Sequence, residues 1–522
     1  MRKITLFLFL FLCILGSFTS CTDDLRKTPA ADVFSTAVVP NPDSIRSAIG
    51  VLLAADRDTL YLDHYARNYY RAQKSLLWVN LFGLNPQADT LISTLFHAEA
   101  HGLNPDAFGQ KELSAEVDYF FRGVENGAQE GLNWRLARLE YYLTKGYLRY
   151  VAGQRYGFVN PTLLLNRLDK NDQDSTGRTF RRLTDLPLEH IDAQFVECAL
   201  RKIPTDSLST FLQEVCPQSE FYAALCQRLQ SDTLSAAGRR KTVVNLERCR
   251  WRIKDDPREH DRSVFVNIPE FRLYAFSPQS MISMKIGCGA FATKTPLLTS
   301  QIKRIEINPL WVIPKSILKN EVARHLGDSA WFARHHYYIR ERQTGDIKDP
   351  RDLDKWQLLS GKYSVIQEAG SANSLGRIVF RFDNPFAVYI HHTSTPGFFA
   401  RQTRAVSHGC IRVEEPMALA EFVLNTQPEE IMERIRYSMQ VDISTLGALA
   451  KSRGVKPSPT IKRNKLISHV GVNPEVPLYV GYYTLYPASH RIDRKDVLAD
   501  YPDVYGYDRV IYNALLSKKY VR

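Results

Sequence analysis

The sequence predicts an α+β protein of several domains. A mainly helical N-terminal scaffold domain precedes an antiparallel, β-sandwich-like domain that carries a lid insertion. Three observations lead there. The chain has 522 residues, too many for one unit at roughly 150 residues per domain. Its apolar residues recur at helical spacing up to about residue 260 and at a period of two from about 262. Its first twenty residues have a character of their own. The composition is 44% apolar and 24% charged, which excludes a mainly disordered, collagenous or multi-spanning membrane chain. The formal charge of +12 suits an anionic surface or polymer. Nucleic acid is not favoured, since zinc-finger spacings, RNP-like aromatic runs and dense basic blocks are missing.

Arg2 and Lys3 precede an apolar stretch from Ile4 to Phe18, the pattern of a charged n-region and an h-region. Small residues then lead into Cys21, as in a lipobox. The expectation is a lipoprotein signal peptide over 1–20, lipid on the Cys21 thiol and a tether over 21–44. An uncleaved anchor helix is the alternative, but about fifteen apolar residues is short for a bilayer. No later segment has 18 uninterrupted apolar residues. The body is therefore expected to sit in the cell envelope, lipid-anchored and facing the periplasm, with either membrane open. Cys198, Cys216, Cys226 and Cys249 cluster in the helical region. They read equally as disulfides, with three connectivities, or as buried thiols.

The helical scaffold is placed at 45–260. Leu91, Leu95 and Ala98 share one helix face, and Gly102 to Pro105 stops it. Helices are also expected over Leu136 to Tyr147 and Val244 to Ile253. The β-rich domain is placed at 261–440. Val264, Val266 and Ile268 alternate with Phe265 and Asn267; Ile282, Met284 and Ile286 alternate again, as do Ile378, Phe380 and Phe382. Between strands, residues 314–356 change character and read as a lid. Thr426 with Glu429 reads as a capping box opening a helix. Residues 441–522 form a C-terminal linker, basic at 451–465, with one more strand over Leu478 to Leu485 and an aromatic tail from Tyr501 to Tyr507.

One stretch carries chemistry. Residues 389–413 read YIHHTSTPGFFARQTRAVSHGCIRV. Cys410 becomes a strong nucleophile on losing its proton, and an imidazole is the usual acceptor. His391 ends an alternating strand nineteen residues upstream, so a strand end and a returning loop can meet. Gly409 permits a tight turn whose N–H groups can face an oxyanion. Arg412 can hold a carboxylate or lower the thiol pKa. Metal ligation by His391, His392, His408 and Cys410, or a buried structural cysteine, stay open at this point. His97 and His101 lie at i, i+4, but Glu99 is not where a zincin places its base. A satisfied pair is the expectation there, and a surface or lid role for His335 and His336.

The His-before-Cys order and the motif together resemble the large multidomain branch of the L,D-transpeptidase family, with its YkuD-type catalytic domain. Ser407-His408-Gly409-Cys410-Ile411-Arg412 matches the family signature, and His391-His392-Thr393 matches the context of its histidine. VNIPEFRLYAF, TPLLTSQIKRIEINPLWVIPKSI, HAEAHGLNP and VNLERCRW extend the likeness over about 50–520. The resemblance implies a lipoprotein transpeptidase that joins peptidoglycan stem peptides by 3–3 cross-links through a cysteinyl thioester. A tetrapeptide is the donor and a diamino acid the acceptor. Cys410 and His391 are the implied catalytic pair, with the backbone of His408 and Gly409 as oxyanion hole. Arg412, Tyr389, Ser407 and Trp311 are implied substrate binders. No metal or other cofactor is required, and carbapenem acylation of Cys410 is implied. An L,D-carboxypeptidase, or an inert wall-binding scaffold, would share much of this pattern. Large members often carry a small peptidoglycan-binding domain before the VNLERxRW-like helix; here only QSDTLSAAGRR separates that helix from the one before, so that domain is expected to be missing.

Overall fold

The computed structural model describes residues 39–122, 131–170, 176, 178–488 and 497–522. Cys21 and the leader lie outside the described residues. Among the described residues, no helix is long and apolar enough to cross a membrane.

The N-terminal half packs around helix α1, Leu132–Tyr156, most of whose residues are buried. Leu91, Leu95 and Ala98 are fully buried together, and Gly102 ends their segment in the left-handed conformation at φ +72°. Inside α1, the Glu140 carboxylate accepts the backbone N–H groups of Leu77, Trp78 and Val79 at 2.5, 2.8 and 3.1 Å. One buried carboxylate thus fixes the entry to a short hairpin in which Val79–Asn80 pairs with Gly83–Leu84. The four cysteines of this region are free thiols. Helix α2, Ala236–Arg250, contains most of the VNLERCRW motif and joins this half to the rest. Its Asn245 side chain accepts the N–H groups of Thr484 and Leu485 and donates to the Thr484 hydroxyl.

The β-rich half is one mixed sheet that returns on itself. Its strands are β1 (Ser263–Asn267), β2 (Arg272–Phe276), β3 (Met281–Gly289), β4 (Leu297–Ile307), β5 (Ile378–Phe382), β6 (Ile390–His391), β7 (Ala405–Ser407), β8 (Ile411–Val413) and β9 (His469–Gly481). The ladder runs β5-β6-β8-β3-β2-β1-β9-β4, β4 pairs back to β5, and Thr184–Asp185 of the helical half adds a tenth, parallel strand to the start of β4. Closure leaves few free edges. Most pairs are antiparallel, but β6–β8, β7–β3 and β9–β1 are parallel. Every residue of β1 is buried, including Phe265 and Asn267, because both faces are covered. Asn267 is satisfied there by the backbone of Tyr483.

The insertion folds as a small sheet of four strands, from Trp311–Val312 to Tyr363–Gln367. It is wider than the 314–356 stretch read from composition and has its own core, including Leu318, Phe332, Ile339 and Val365. Buried Asn373 ties its two ends, donating to the carbonyls of Pro309 and Glu368. Helix α3, Glu429–Gln440, begins without a side-chain cap. The expected capping box does not form: Pro428 occupies the cap position, and the Thr426 hydroxyl donates to the Asn473 carbonyl instead. The C-terminal segment returns to both halves and ends in helix α4, Tyr507–Ser517.

Candidate active site

The parallel pairing of β6 with β8 builds the site. Its register sets Ile390 opposite Ile411 and His391 opposite Arg412. Partners in register share a face of the sheet. His391 and Arg412 therefore lie side by side, and Cys410 stands two residues back on the same face, beside Tyr389. The Ile411 N–H donates to the Tyr389 carbonyl at 2.8 Å. His392 points the other way and lies against Gly376.

The Ser407–Cys410 loop is pinned by groups around it. The Thr295 hydroxyl donates to the Gly409 carbonyl and accepts the Gly289 N–H, both at 2.8 Å. The Thr293 hydroxyl donates to the Ser407 carbonyl at 2.8 Å. Tyr505, from the C-terminal segment, donates to the Gly289 carbonyl at 2.7 Å and accepts the Thr295 N–H. Gly409 sits at φ +117°. A Cβ there would meet nothing closer than 3.5 Å, so the glycine is needed for its backbone angle and not for space.

Electrostatics hold the pair uncharged. Burial pushes the Cys410 thiol above its ordinary pKa, while the Tyr389 N–H and the charges of Arg412 and Arg381 pull it part of the way back. Burial, then Arg412, push His391 down to about 3. Its ring donates from Nδ1 to the His392 carbonyl at 2.5 Å, with the Leu375 carbonyl a further acceptor beside it. A carbonyl only accepts, so Nδ1 carries the hydrogen and Nε2 the lone pair. Among the described residues Cys410 and His391 make no direct hydrogen bond; such contacts often tighten only with substrate.

Arg412 lines a cavity of about 360 Å³ with Thr395, Gly397, Phe398, Arg401 and Val406. Burial lowers its pKa, its Nε is buried with no acceptor, and it has no carboxylate partner among the described residues. The cavity can take a carboxylate two residues from Cys410.

The comparisons with known proteins agree with this geometry. Residues 261–442 match the model of the L,D-transpeptidase catalytic domain, YkuD. The chain carries an L,D-transpeptidase catalytic domain. Residues 63–229 match a second model, described as a scaffold domain. A Haemophilus influenzae protein named "putative L,D-transpeptidase" is 24% identical over 330 residues, 62% of this chain and 60% of that one. The match thus spans less than two thirds of that relative.

Within this L,D-transpeptidase domain the implied residues divide. Cys410, His391, Tyr389 and Arg412 come together. Ser407, expected to bind substrate, is buried and spent on the loop: its hydroxyl donates to the Cys410 carbonyl at 2.6 Å and accepts the Gly409 N–H at 3.1 Å. That bond also removes Gly409 from the expected oxyanion pair. The N–H groups of His408 and Cys410 have no partner among the described residues. The Tyr389 ring carries the Arg381 guanidinium at 4.0 Å. Trp311 belongs to the insertion and packs partly against its core. The insertion reaches the loop elsewhere, through Glu321, whose carboxylate meets His408 Nε2 at 2.8 Å. Thr293, Thr295, Glu321 and Tyr505 were not singled out for the site in the sequence; Thr295 stands in the TPLLTS motif and Tyr505 in the aromatic tail. His97 and His101 are satisfied, by the Ser93 carbonyl and the Tyr222 hydroxyl.

Proposed function

We propose that the protein is a peptidoglycan L,D-transpeptidase that makes 3–3 cross-links through a thioester on Cys410. The observation that carries this is the uncompensated Arg412 beside an uncharged Cys410 and His391. A neutral imidazole with a free Nε2 accepts the thiol proton as sulfur attacks the carbonyl of the third stem residue. The developing oxyanion faces the N–H groups of His408 and Cys410. The tetrahedral intermediate collapses, the C–N bond breaks, and the proton on His391 passes to the amine of the departing fourth residue. Arg412 holds the carboxylate of that residue. The side-chain amine of a second stem then attacks the thioester, His391 takes its proton, and the thiol is restored. Electrons and protons balance with no external cofactor. The leader pattern supports attachment by lipid at Cys21, with the domains facing the periplasm. The same nucleophile would be acylated by carbapenems.

The test is product analysis. Residues 22–522 are incubated with purified disaccharide-tetrapeptide, with Cys410→Ala as control. Dimers joined through two third-position residues, missing in the control, are the expected result. Tripeptide without dimer would make the enzyme an L,D-carboxypeptidase.

A further inference from the structure

Away from Cys410, a cavity of about 940 Å³ opens between the helix Glu220–Leu229, the start of α2 and α4. It shares no lining residue with the Arg412 cavity. The QSDTLSAAGRR connection forms one wall. Its charges do not cancel. Asp500 is paired with Lys241. Asp508 takes Arg248 and the Thr484 hydroxyl, both at 2.7 Å. Asp503 takes the Tyr482 hydroxyl at 2.7 Å and the Asp508 N–H at 3.0 Å. Two of the acids are thus paired with cations and the third, Asp503, is hydrogen-bonded within the fold without a cation, which leaves three arginines against one carboxylate. Arg228, Arg240 and Arg509 also line the cavity, and none has a carboxylate partner among the described residues. Arg228 Nε is buried without an acceptor, and an unmade buried bond costs about 1–3 kcal/mol. The hydroxyls of Ser231, Thr233 and Ser235 and the ring of Tyr512 complete the lining.

We infer that this cavity is a second, non-catalytic binding site for a carboxylate-bearing saccharide-peptide, a segment of the wall polymer itself. The inference rests on the proposed function for the identity of the ligand. Three guanidiniums without a carboxylate partner among the described residues call for carboxylates. Hydroxyls and a tyrosine suit a sugar. The volume lies at the top of the range for small-ligand sites of about 300–1,000 Å³, room for a disaccharide with part of its stem. A concave site fits such a chain better than it fits a flat layer of lipid headgroups. Held here, one strand of the polymer would raise the local concentration of stems at Cys410.

The test uses the full mature chain carrying Cys410→Ala. The probe is uncross-linked glycan chains bearing tetrapeptides, beside the same chains with their carboxyl groups amidated. Arg240 and Arg509 are exposed, so Arg240→Glu with Arg509→Glu should leave the fold intact, as a thermal melt would verify. The expected result is at least about a tenfold loss of affinity for the charged probe, or 1.4 kcal/mol. The amidated probe should bind the parent as weakly. With Cys410 restored, the double variant should keep its rate of acylation by a carbapenem. Equal binding by parent and variant, no binding by the parent, or full competition by vesicles of anionic lipid would each overturn the inference. Failure of the proposed function shows separately, as no turnover of disaccharide-tetrapeptide, a reaction that needs only the Cys410 site.

Discussion

Replacing Arg412 by methionine separates substrate binding from proton transfer. The Arg412 charge lowers the pKa of both Cys410 and His391. Removing it raises both. The energy of moving a proton from the thiol to the imidazole depends on the difference between the two, so to first order the change cancels. Binding has no such cancellation. A charge-assisted hydrogen bond to a carboxylate is worth about 1.5–3 kcal/mol, so kcat/KM on disaccharide-tetrapeptide should fall about 10- to 100-fold. A small neutral reagent reports the other half. The rate of alkylation of Cys410 by iodoacetamide should rise with pH through one inflection, above the range of an ordinary cysteine, with no plateau at neutral pH. In Arg412→Met that inflection moves further up, and the alkaline plateau stays within about twofold. The reasoning is refuted if the variant loses as much rate with iodoacetamide on the alkaline plateau as with the stem peptide, for then Arg412 serves only the shape of the loop.

Four further outcomes are expected. Thr295→Val keeps the side-chain volume but strands the Gly409 carbonyl and the Gly289 N–H; at about 1–3 kcal/mol for each buried group, the denaturant midpoint should drop and carbapenem acylation should slow. Gly409→Ala meets no steric obstacle, yet its φ of +117° costs an alanine about 1–3 kcal/mol, so acylation should slow more than the melt changes. Burial holds His101 down to about 4. The unfolded chain therefore takes up a proton below 6.5 that the folded chain refuses, and stability present above pH 6.5 is lost as pH falls, by about 2 kcal/mol at pH 5; urea titrations at pH 7 and pH 5 should show that slope, reduced in His101→Asn. Glu321→Ala breaks an exposed pair with His408, so the melt should not move, while KM for stem peptides should rise as the insertion loses its hold on the nucleophile loop.

Alternation along Val264 to Ile268 is legible because a pleated strand puts successive side chains on opposite faces. That alternation failed to register that Phe265 and Asn267 are buried too, since a pattern within one strand carries no information on what covers its outer face. The parallel pairing of β6 and β8 is likewise hidden: it depends on a crossover and not on any local residue. The failed capping box has a local cause. Pro428 is itself the cap residue, so Glu429 is the first helical residue and not the third of a helix capped by Thr426, which frees the Thr426 hydroxyl for Asn473. At the site, Cys410, His391 and Arg412 were visible because thiol, imidazole and guanidinium side chains are the kinds that carry such chemistry. Thr293, Thr295 and Tyr505 were not, because they act on backbone atoms of the loop, and any hydroxyl in the right place would do the same.

Arg381 and Arg412 act on Cys410, Arg404 stands on the segment leading to β7, and the partners of each decide what it does. Arg404 is buried, and its guanidinium donates to the carbonyls of Ile286, Phe271 and Arg401. Arg381 is held by Glu306 at 2.7 Å. Each of these charges is compensated within the fold, and each braces a strand. Among the described residues Arg412 has neither a carbonyl nor a carboxylate and meets only the Phe398 ring, at 5.7 Å, although burying an uncompensated charge costs several kcal/mol. A fold that satisfies two guanidiniums and leaves the third without an acceptor among the described residues, two residues after Cys410, places that third charge where an incoming carboxylate could complete it. In the proposed reaction, substrate binding would recover the burial cost in the same step that brings the acyl carbon to sulfur, and a ligand without the carboxylate would leave the cost unrecovered.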